Sequence, residues 1–400
     1  MSTVYTAAQT TPAVSTTGTL KRTVSDKIRH LFPASSNLLA LVAQGVPDGM
    51  KIKREKGLIG KKPTATPKFE SFTYSPLAIA FTVSVYNSGT SLSVSSATGL
   101  RLKYTLVNTA NNTVCRVGAI STNALTVTSV GSTSFSAAVG DILVCMAPAY
   151  EESSTAPYIL QKDEDNLYNY VQIVRFPVAI SNSAKGNPHY GGDIFGRINE
   201  RNMIEGNRKV ENTLIFSERA SSGDTTTDGT LADAFRTTRG LWNWAQGSFP
   251  AGGAMTPDVY MKDLPVSGMH ESVDSNAELI QFCGKEIFGR MQQWVNEDRM
   301  VMQQDEELKK FGLKAYKFVT SGPTIRVIVH NAFDQGEFSK KALIFNPEDV
   351  FYCYKEGRDL EVKRNIQAND ADFVEHEILG EIGVGVLDGG YGITKVTEWY

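Results

Sequence analysis

The sequence has little of what marks secreted, membrane or catalytic chains. Its 400 residues hold four cysteines, Cys115, Cys145, Cys283 and Cys353, and no CxxC pair. They are far apart, which reads as free, mostly buried thiols in a reducing compartment. Cys115 and Cys145 share one small segment, so a disulfide between them stays open. No apolar run approaches the length of a membrane helix. The opening MSTVYTAAQTTPAVSTTGTL has no basic n-region and no apolar h-region, so it does not read as a secretory signal. HExxH, GxSxG and the Walker A pattern are all missing.

What polar chemistry there is does not assemble into a site. The histidines His30, His189, His270, His330 and His376 share no metal-ligand spacing, and each reads as structural or surface. Glu151–Glu152 and Asp163–Glu164–Asp165 are neighbours in sequence. In extended chain such neighbours point apart, which suits solvated or interface charge better than acid–base work. Asp224 and Asp228 lack calcium-loop spacing. Asn111-Asn112-Thr113 is a sequon with no sign of secretion around it. GVGVLDGGYG (383–392) leaves no room for the helix and second strand of a dinucleotide fold, and reads as strand, turn, strand. Trp242 and Trp244 suggest a packed corner, with a carbohydrate platform as the rival. The expectation is no catalytic residues, no cofactor and no metal.

Charge is unevenly spread. Residues 1–68 hold eleven Lys/Arg against three Asp/Glu, a balance of +8. The net charge of the chain is −3, so the remainder carries −11. A basic N-terminal portion on an acidic body suggests contact between subunits or with nucleic acid. Lys53, Arg54, Lys56, Lys61 and Lys62 cluster with only Glu55 opposing them, and are the candidate assembly contact. Glu151, Glu152, Asp163, Glu164 and Asp165 form the nearest acidic run.

Along the chain, residues 1–20 are Ser/Thr-rich. Thr23 to His30 and Ser36 to Gln44 read as short helices. Lys51 to Lys68 reads as an extended arm or loop, not a core element. From Ser71 to Ala149 only Arg101, Lys103, Arg116 and Asp141 are charged. Short alternating runs such as FTVSV (81–85), SLSVSS (91–96), CRVGAI (115–120), ALTVTSV (124–130) and DILVCM (141–146) predict a small all-β module, a sandwich or partly open barrel. Asn169 to Ile180 alternates like a strand, with Pro177 placing it on an edge. Asp193 to Glu218 reads as one long helix. Glycines precede it, Asp193 caps it, and no proline interrupts it. Met203, Val210 and Leu214 form its apolar stripe, and Gly196 and Gly206 mark close approach of another backbone. Ser275 to Val295 reads as a second helix with Ile280, Ile287, Met291 and Val295 on one stripe, continued by Asp298 to Gly312. From Leu313 the pattern is strands.

This order of elements resembles the major capsid protein of tailed bacteriophages, the Hong Kong 97 type of fold shared with encapsulins. More narrowly it is similar to major head proteins with a β-domain inserted in the extended loop. DNLYNYVQIVRFPVAIS (165–181) resembles the strand that returns from the loop, and RTTRGLWNWA (236–245) the turn after the long helix. FGLKAYKFVTSGPTIRVIVHNAF (311–333) and ALIFNPEDVFYCY (342–354) resemble the strand pairs of the axial and peripheral domains. ILGEIGVGVLDGGYGITKV (378–396) resembles the terminal strands. The resemblance implies an α+β chain. Its parts are an N-terminal arm (1–50), an extended loop (51–74 and 150–180), an all-β insertion domain on the outer surface (75–149), a peripheral domain with the spine helix (181–235 and 342–400) and an axial domain (236–341).

The implied function is structural: self-assembly, as hexamers and pentamers, into an icosahedral shell around double-stranded DNA, held non-specifically, with no membrane. Implied partners are a separate scaffolding protein, a portal and decoration proteins. The implied place is the virion, after assembly in the host bacterial cytoplasm. An encapsulin-like compartment and a carbohydrate-binding adhesin are the alternatives.

Overall fold

The computed structural model describes residues 37–43, 47, 48, 51, 52, 59–74, 78–88, 90–152, 154, 164–187, 193–221, 235–253, 255–270, 273, 274, 277–297, 303, 304, 314–320 and 322–399. The expected helix at Thr23 to His30 lies outside them. Two units result. One comprises residues 1–71 and 167–400, the other residues 72–166.

In chain order the main elements are α1 (Asn37–Ala43), β1 (Gly60–Thr64), β2 (Lys68–Thr73), β3 (Ala80–Ser88), β4 (Ser91–Val94), β5 (Tyr104–Asn108), β6 (Val114–Ser121), β7 (Ala124–Val130) and β8 (Ile142–Pro148). Then come β9 (Asp165–Tyr170), β10 (Gln172–Ser181), α2 (Ile194–Phe216), α3 (Leu241–Trp244), β11 (Gly247–Gly253), β12 (Glu278–Cys283) and α4 (Lys285–Asn296). The chain closes with β13 (Ala315–Val319), β14 (Thr324–Val329), β15 (Ala342–Phe345), β16 (Val350–Lys355), β17 (Glu361–Arg364), β18 (Phe373–Val386) and β19 (Ile393–Trp399).

In the smaller unit, β3 to β8 close into a barrel in the order β8-β3-β4-β7-β6-β5. The cause is strict alternation. Phe81 and Val83, Leu92 and Val94, Cys115 and Val117, and Leu125 and Val127 all point inward and are buried, with polar residues between them. Closure leaves no sheet edge to protect, which suits a segment with so few charges. Cys115 and Cys145 are both free thiols, so the open question of a disulfide is answered.

The larger unit holds two sheets of more than two strands among the described residues. In the first, β10, β18, β16 and β1 lie side by side, and β17 joins β18. The second has seven strands in the order β11-β19-β15-β12-β14-β13 and then the two-residue strand Gln303–Gln304. Strands β2 and β9 form a separate ribbon. One core packs α1, the second half of α2 and α3 with residues of both sheets, including Leu41, Leu214, Trp244, Phe282, Phe333 and Phe345. A second core joins Tyr260, Ile287, Met291, Trp294, Phe318 and Trp399. Each such side chain contributes roughly 1.5–3 kcal/mol relative to exposure.

Helix α2 is continuous across 23 residues, roughly 35 Å at 1.5 Å per residue. The Asp193 side chain accepts a hydrogen bond from the Phe195 N–H at 3.0 Å, as its capping role requires. Two details differ from expectation. Met203 is exposed, so the buried stripe is Val210, Leu214 and Ile215. The close approach at Gly206 comes from the Phe176 ring, 3.0 Å from where a Cβ would sit, and at Gly196 from the cap's own Asp193 carboxylate. Among the described residues, no other backbone passes either glycine that closely.

The expected helix from Ser275 is a strand followed by a helix. Glu278–Cys283 is β12, paired parallel with β14 and antiparallel with β15. It lies inside a sheet buried on both faces, so Leu279 to Cys283 are all buried without alternation, Gln281 included, and the apolar residues mimic one side of a helix. Gly284 follows as the cap of the helix, where a Cβ would lie 2.6 Å from the Phe333 carbonyl oxygen. Helix α4 ends at Asn296 with Glu297 as its cap, and Gln303–Gln304 is a strand paired with β13; the rest of Asp298 to Gly312 lies outside the described residues. Asn169 to Ile180 is likewise two strands, β9 and β10, parted at Val171. Pro177 does lie on an edge strand.

Two expected boundaries cut across sheets. Residues 60–64 are not free loop, since β1 pairs in parallel with β16 and buries Ile59, Gly60 and Thr64. The division at residue 342 separates β15 and β19 from the seven-stranded sheet to which they are hydrogen-bonded.

Candidate assembly site

Of the five candidate contact residues, Lys53, Arg54 and Lys56 lie outside the described residues. Lys61 and Lys62 stand side by side on β1, opposite Tyr352 and Cys353 of β16. Alternation sends them to opposite faces. The Lys61 ammonium is 2.7 Å from Asp359 and lies over the rings of Tyr352 and Tyr354, at 5.4 and 5.7 Å from their centroids. Asp359 also accepts from the Tyr352 hydroxyl at 2.9 Å and from the Leu360 N–H at 2.8 Å. Burial and this neighbouring carboxylate push the Tyr352 phenol well above its ordinary range. Lys61 is thus committed within its own subunit. Lys62 is exposed, with its ammonium 5.3 Å from the Phe351 ring centroid.

Glu151 binds Lys103 at 2.6 Å and Arg116 at 2.8 Å, and these two cations hold its carboxyl down at about 2. Glu152, Glu164 and Asp165 are exposed, and Asp163 lies outside the described residues.

Two buried polar clusters went unseen in the sequence. Asn169 of β9 is wholly buried. Its amide donates to Val384 O at 2.7 Å and to Thr238 Oγ1 and Arg239 O at 3.1 Å. Its carbonyl accepts from the Arg239 and Tyr170 N–H groups at 2.8 Å. This one side chain fastens the base of the β2–β9 ribbon to the turn after α2 and to β18.

The second cluster ties α1 to the body. Glu211, on the buried face of α2, accepts from the Leu39 N–H of α1 at 3.1 Å. Its other oxygen faces His330 Nε2 at 3.5 Å. His330 Nδ1 accepts from the Ala332 N–H, which leaves its proton on Nε2. Burial raises the Glu211 carboxyl to about 7. It lowers the His330 imidazole to about 4, with Asp334 opposing that fall. No spacing rule finds a lone acid inside a helix and a histidine 119 positions later.

Trp244 is buried beneath the Arg239 guanidinium, and Trp242 packs in an aromatic group with Phe216, Phe333 and Phe338. A sugar platform is therefore not formed by these two rings. His376 and His270 lie edgewise or tilted against Phe195 and Tyr391. His30, His189, Asp224 and Asp228 lie outside the described residues. Residues 383–392 run out of β18, turn at Gly389 and Gly390, and enter β19. A Cβ at Gly390 would fall 2.0 Å from the Trp244 carbonyl oxygen.

Over residues 4–393, nearly its whole length, the sequence matches the family model of the SU10 major capsid protein. The chain belongs to that family. It is a structural subunit of a capsid shell, built from many copies of itself. No curated protein matches the sequence. Several solved structures are similar in fold. The capsid of an empty GTA particle shares 10% identity, with 98% of this chain and 100% of that chain covered and a TM-score of 0.46. A cyanophage A-1(L) capsid chain shares 12% identity over 64% of this chain and 85% of its own, at 0.43. A chain of the holo-SrpI encapsulin complex from Synechococcus elongatus PCC 7942 shares 12% over 59% and 78%, at 0.41. The family assignment rests on the sequence match.

Proposed function

We propose that this subunit closes, as hexamers and pentamers, into the icosahedral shell of a tailed bacteriophage and confines its double-stranded DNA without reading sequence. The family match over residues 4–393 carries this reading. The role is structural and not enzymatic. Many modest contacts between copies add up over a closed shell, so no single interface has to be strong. Assembly takes place in the host bacterial cytoplasm. A separate scaffolding protein, a portal and decoration proteins are the further partners.

Within this proposal the basic stretch is an assembly contact made by Lys53, Arg54, Lys56 and Lys62. Such charges steer docking and fix register more than they add affinity. Lys61 supports them from within the subunit by bracing β1 against Asp359.

Electron microscopy of the purified full-length chain, with measurement of nucleic-acid content, tests the proposal. Closed icosahedral particles that hold double-stranded DNA when made with the rest of the phage are expected. Closed particles that hold a protein cargo and no genome would favour a compartment of encapsulin type. Soluble monomers that bind glycans would favour the adhesin.

A further inference from the structure

The turn that follows α2 gathers cations without answering them. Asn243 donates to Ser217 O at 2.9 Å and Asn169 to Arg239 O at 3.1 Å, so residues 168–169, 217–219 and 239–244 meet here. Three half-buried cations stand at this meeting point. The Arg219 guanidinium lies 3.9 Å from the Tyr168 ring centroid and donates to Tyr168 O at 2.8 Å. The Arg239 guanidinium lies 4.5 Å from the Trp244 ring and donates twice to Asn243 O, at 2.9 and 2.6 Å. From β19 the Lys395 ammonium reaches over Trp242, 5.6 Å from its ring centroid. Both tryptophans belong to the single turn of α3.

Among the described residues, no carboxylate binds any of the three. They act on one another instead. Burial pulls Arg239 below its ordinary value, with Arg219 adding to the fall and Glu218 opposing it. Burial and Arg239 do the same to Lys395. Glu218 is exposed, and against it the three cations leave a surplus of two positive charges. Like charges brought together and partly stripped of water are costly unless an anion completes the set. A single carboxylate supplies one negative charge. A phosphate dianion, or two successive phosphodiesters of a strand, supplies two, and guanidinium forks match its oxygens. The rings are already covered by the protein's own cations, so the cluster meets charge and not bases. We propose that Arg219, Arg239 and Lys395 form a phosphate-binding site at the turn after α2. Its phosphates come from the backbone of enclosed double-stranded DNA, a source that rests on the reading of the chain as a shell around DNA. Free phosphate is the other source of the same chemistry.

Lys395 reports on its own site. Unassembled full-length subunits are acetylated with limiting acetic anhydride, and each lysine is followed by peptide mass spectrometry. The additions are inorganic phosphate, a short DNA duplex or polyglutamate, with chloride at matched ionic strength as the reference. Phosphate should slow acetylation of Lys395 at least threefold and leave the exposed Lys262 unchanged. Arg219→Gln should keep the wild-type unfolding midpoint and lose that protection, while Arg219→Lys should keep part of it. Protection by the duplex as well assigns the phosphates to DNA. Lys395→Gln should then lower the slope of log affinity for the duplex against log salt by about 1. Protection by phosphate without the duplex supports the site with free phosphate as its ligand. Equal rates in phosphate and chloride, or protection by polyglutamate alone, would overturn the proposal. So would a folded Arg219→Gln chain that stays protected. Particles that hold no DNA would sink the reading of a genome shell and leave the phosphate result standing, so the two failures are distinct.

Discussion

Replacing Glu211 with Gln should expose a pH dependence that the native Glu211–His330 pair conceals. Burial raises the Glu211 carboxyl from 4.5 to about 7 and lowers the His330 imidazole from 6.5 to about 4. A raised carboxyl contributes stability that is complete below its unfolded value of 4.5 and is lost as pH climbs through about 7. A lowered imidazole contributes stability that is complete above 6.5 and is lost as pH falls through about 4. Between pH 4.5 and 6.5 the two trends oppose each other. The unfolded chain there carries one proton on His330, and the folded chain carries one on Glu211. Unfolding then moves a proton between residues without releasing or binding one, and the pair adds almost no slope.

Each displacement alone is worth roughly 3 kcal/mol at about 1.4 kcal/mol per pH unit. Glu211→Gln should therefore lose roughly 3 kcal/mol relative to its own value at pH 6.5 as pH drops to 4. His330→Asn should show the reverse, losing a similar amount between pH 4.5 and 7. Urea unfolding of unassembled subunits, followed by tryptophan fluorescence at several pH values, measures both. The wild-type curve supplies the contribution of all other groups, and the differences are what count. Variants whose curves merely run parallel to wild type would refute the assignment of the proton.

Gly206→Ala should be nearly neutral in thermal or chemical unfolding. The helix gains about 0.5–1 kcal/mol from alanine, but the Phe176 ring 3.0 Å away must shift. A clear gain near 1 kcal/mol would show that the ring imposes nothing. Asn169→Ala should cost roughly 3 kcal/mol or more, since Val384 O and the Arg239 N–H and carbonyl lose buried partners worth about 1–3 kcal/mol each; a loss under 1 kcal/mol counts against the anchor. Residues 72–166 replaced by a short Gly/Ser linker should leave a cooperatively folding remainder, judged by circular dichroism and protease resistance. An unfolded product would make the barrel part of the main core. Lys62→Glu alone should leave the subunit folded and block particle formation, because Lys62, unlike Lys61, has no carboxylate bound to it among the described residues. Normal particles that package DNA poorly would move the stretch to the DNA-facing surface, and normal particles with normal packaging would leave it without either role.

Legibility in this sequence follows the kind of burial. Barrel strands such as Val114–Ser121 and Ala124–Val130 are buried on one face, so alternation shows in the residues themselves. Helix α2 announces its start through Asp193 and its continuity through the lack of proline. Strand β12 is buried on both faces and carries no period. Strand β1 is Gly, Lys and Pro-rich, and becomes a strand only because β16 offers it an edge about 290 residues later. Five-letter windows contain no trace of such a partner.

The candidate sites divide along the same line. Lys61 and Lys62 read as one basic cluster because sequence records proximity along the chain. The pleat separates them, giving one to Asp359 and one to solvent. Nothing in the sequence around Glu211 sets it apart, because its partners Leu39 and His330 arrive from segments 172 positions earlier and 119 later. A polar group that seems ordinary in sequence becomes consequential when distant elements close over it and take away its water. For a shell subunit this limit extends to the function. Its chemistry is contact between copies, and contacts leave no signature residues of the kind that a nucleophile or a metal demands. The order of elements could therefore suggest a shell, whereas the cation cluster after α2 becomes visible only when Arg219, Arg239 and Lys395 arrive from separate segments at one turn.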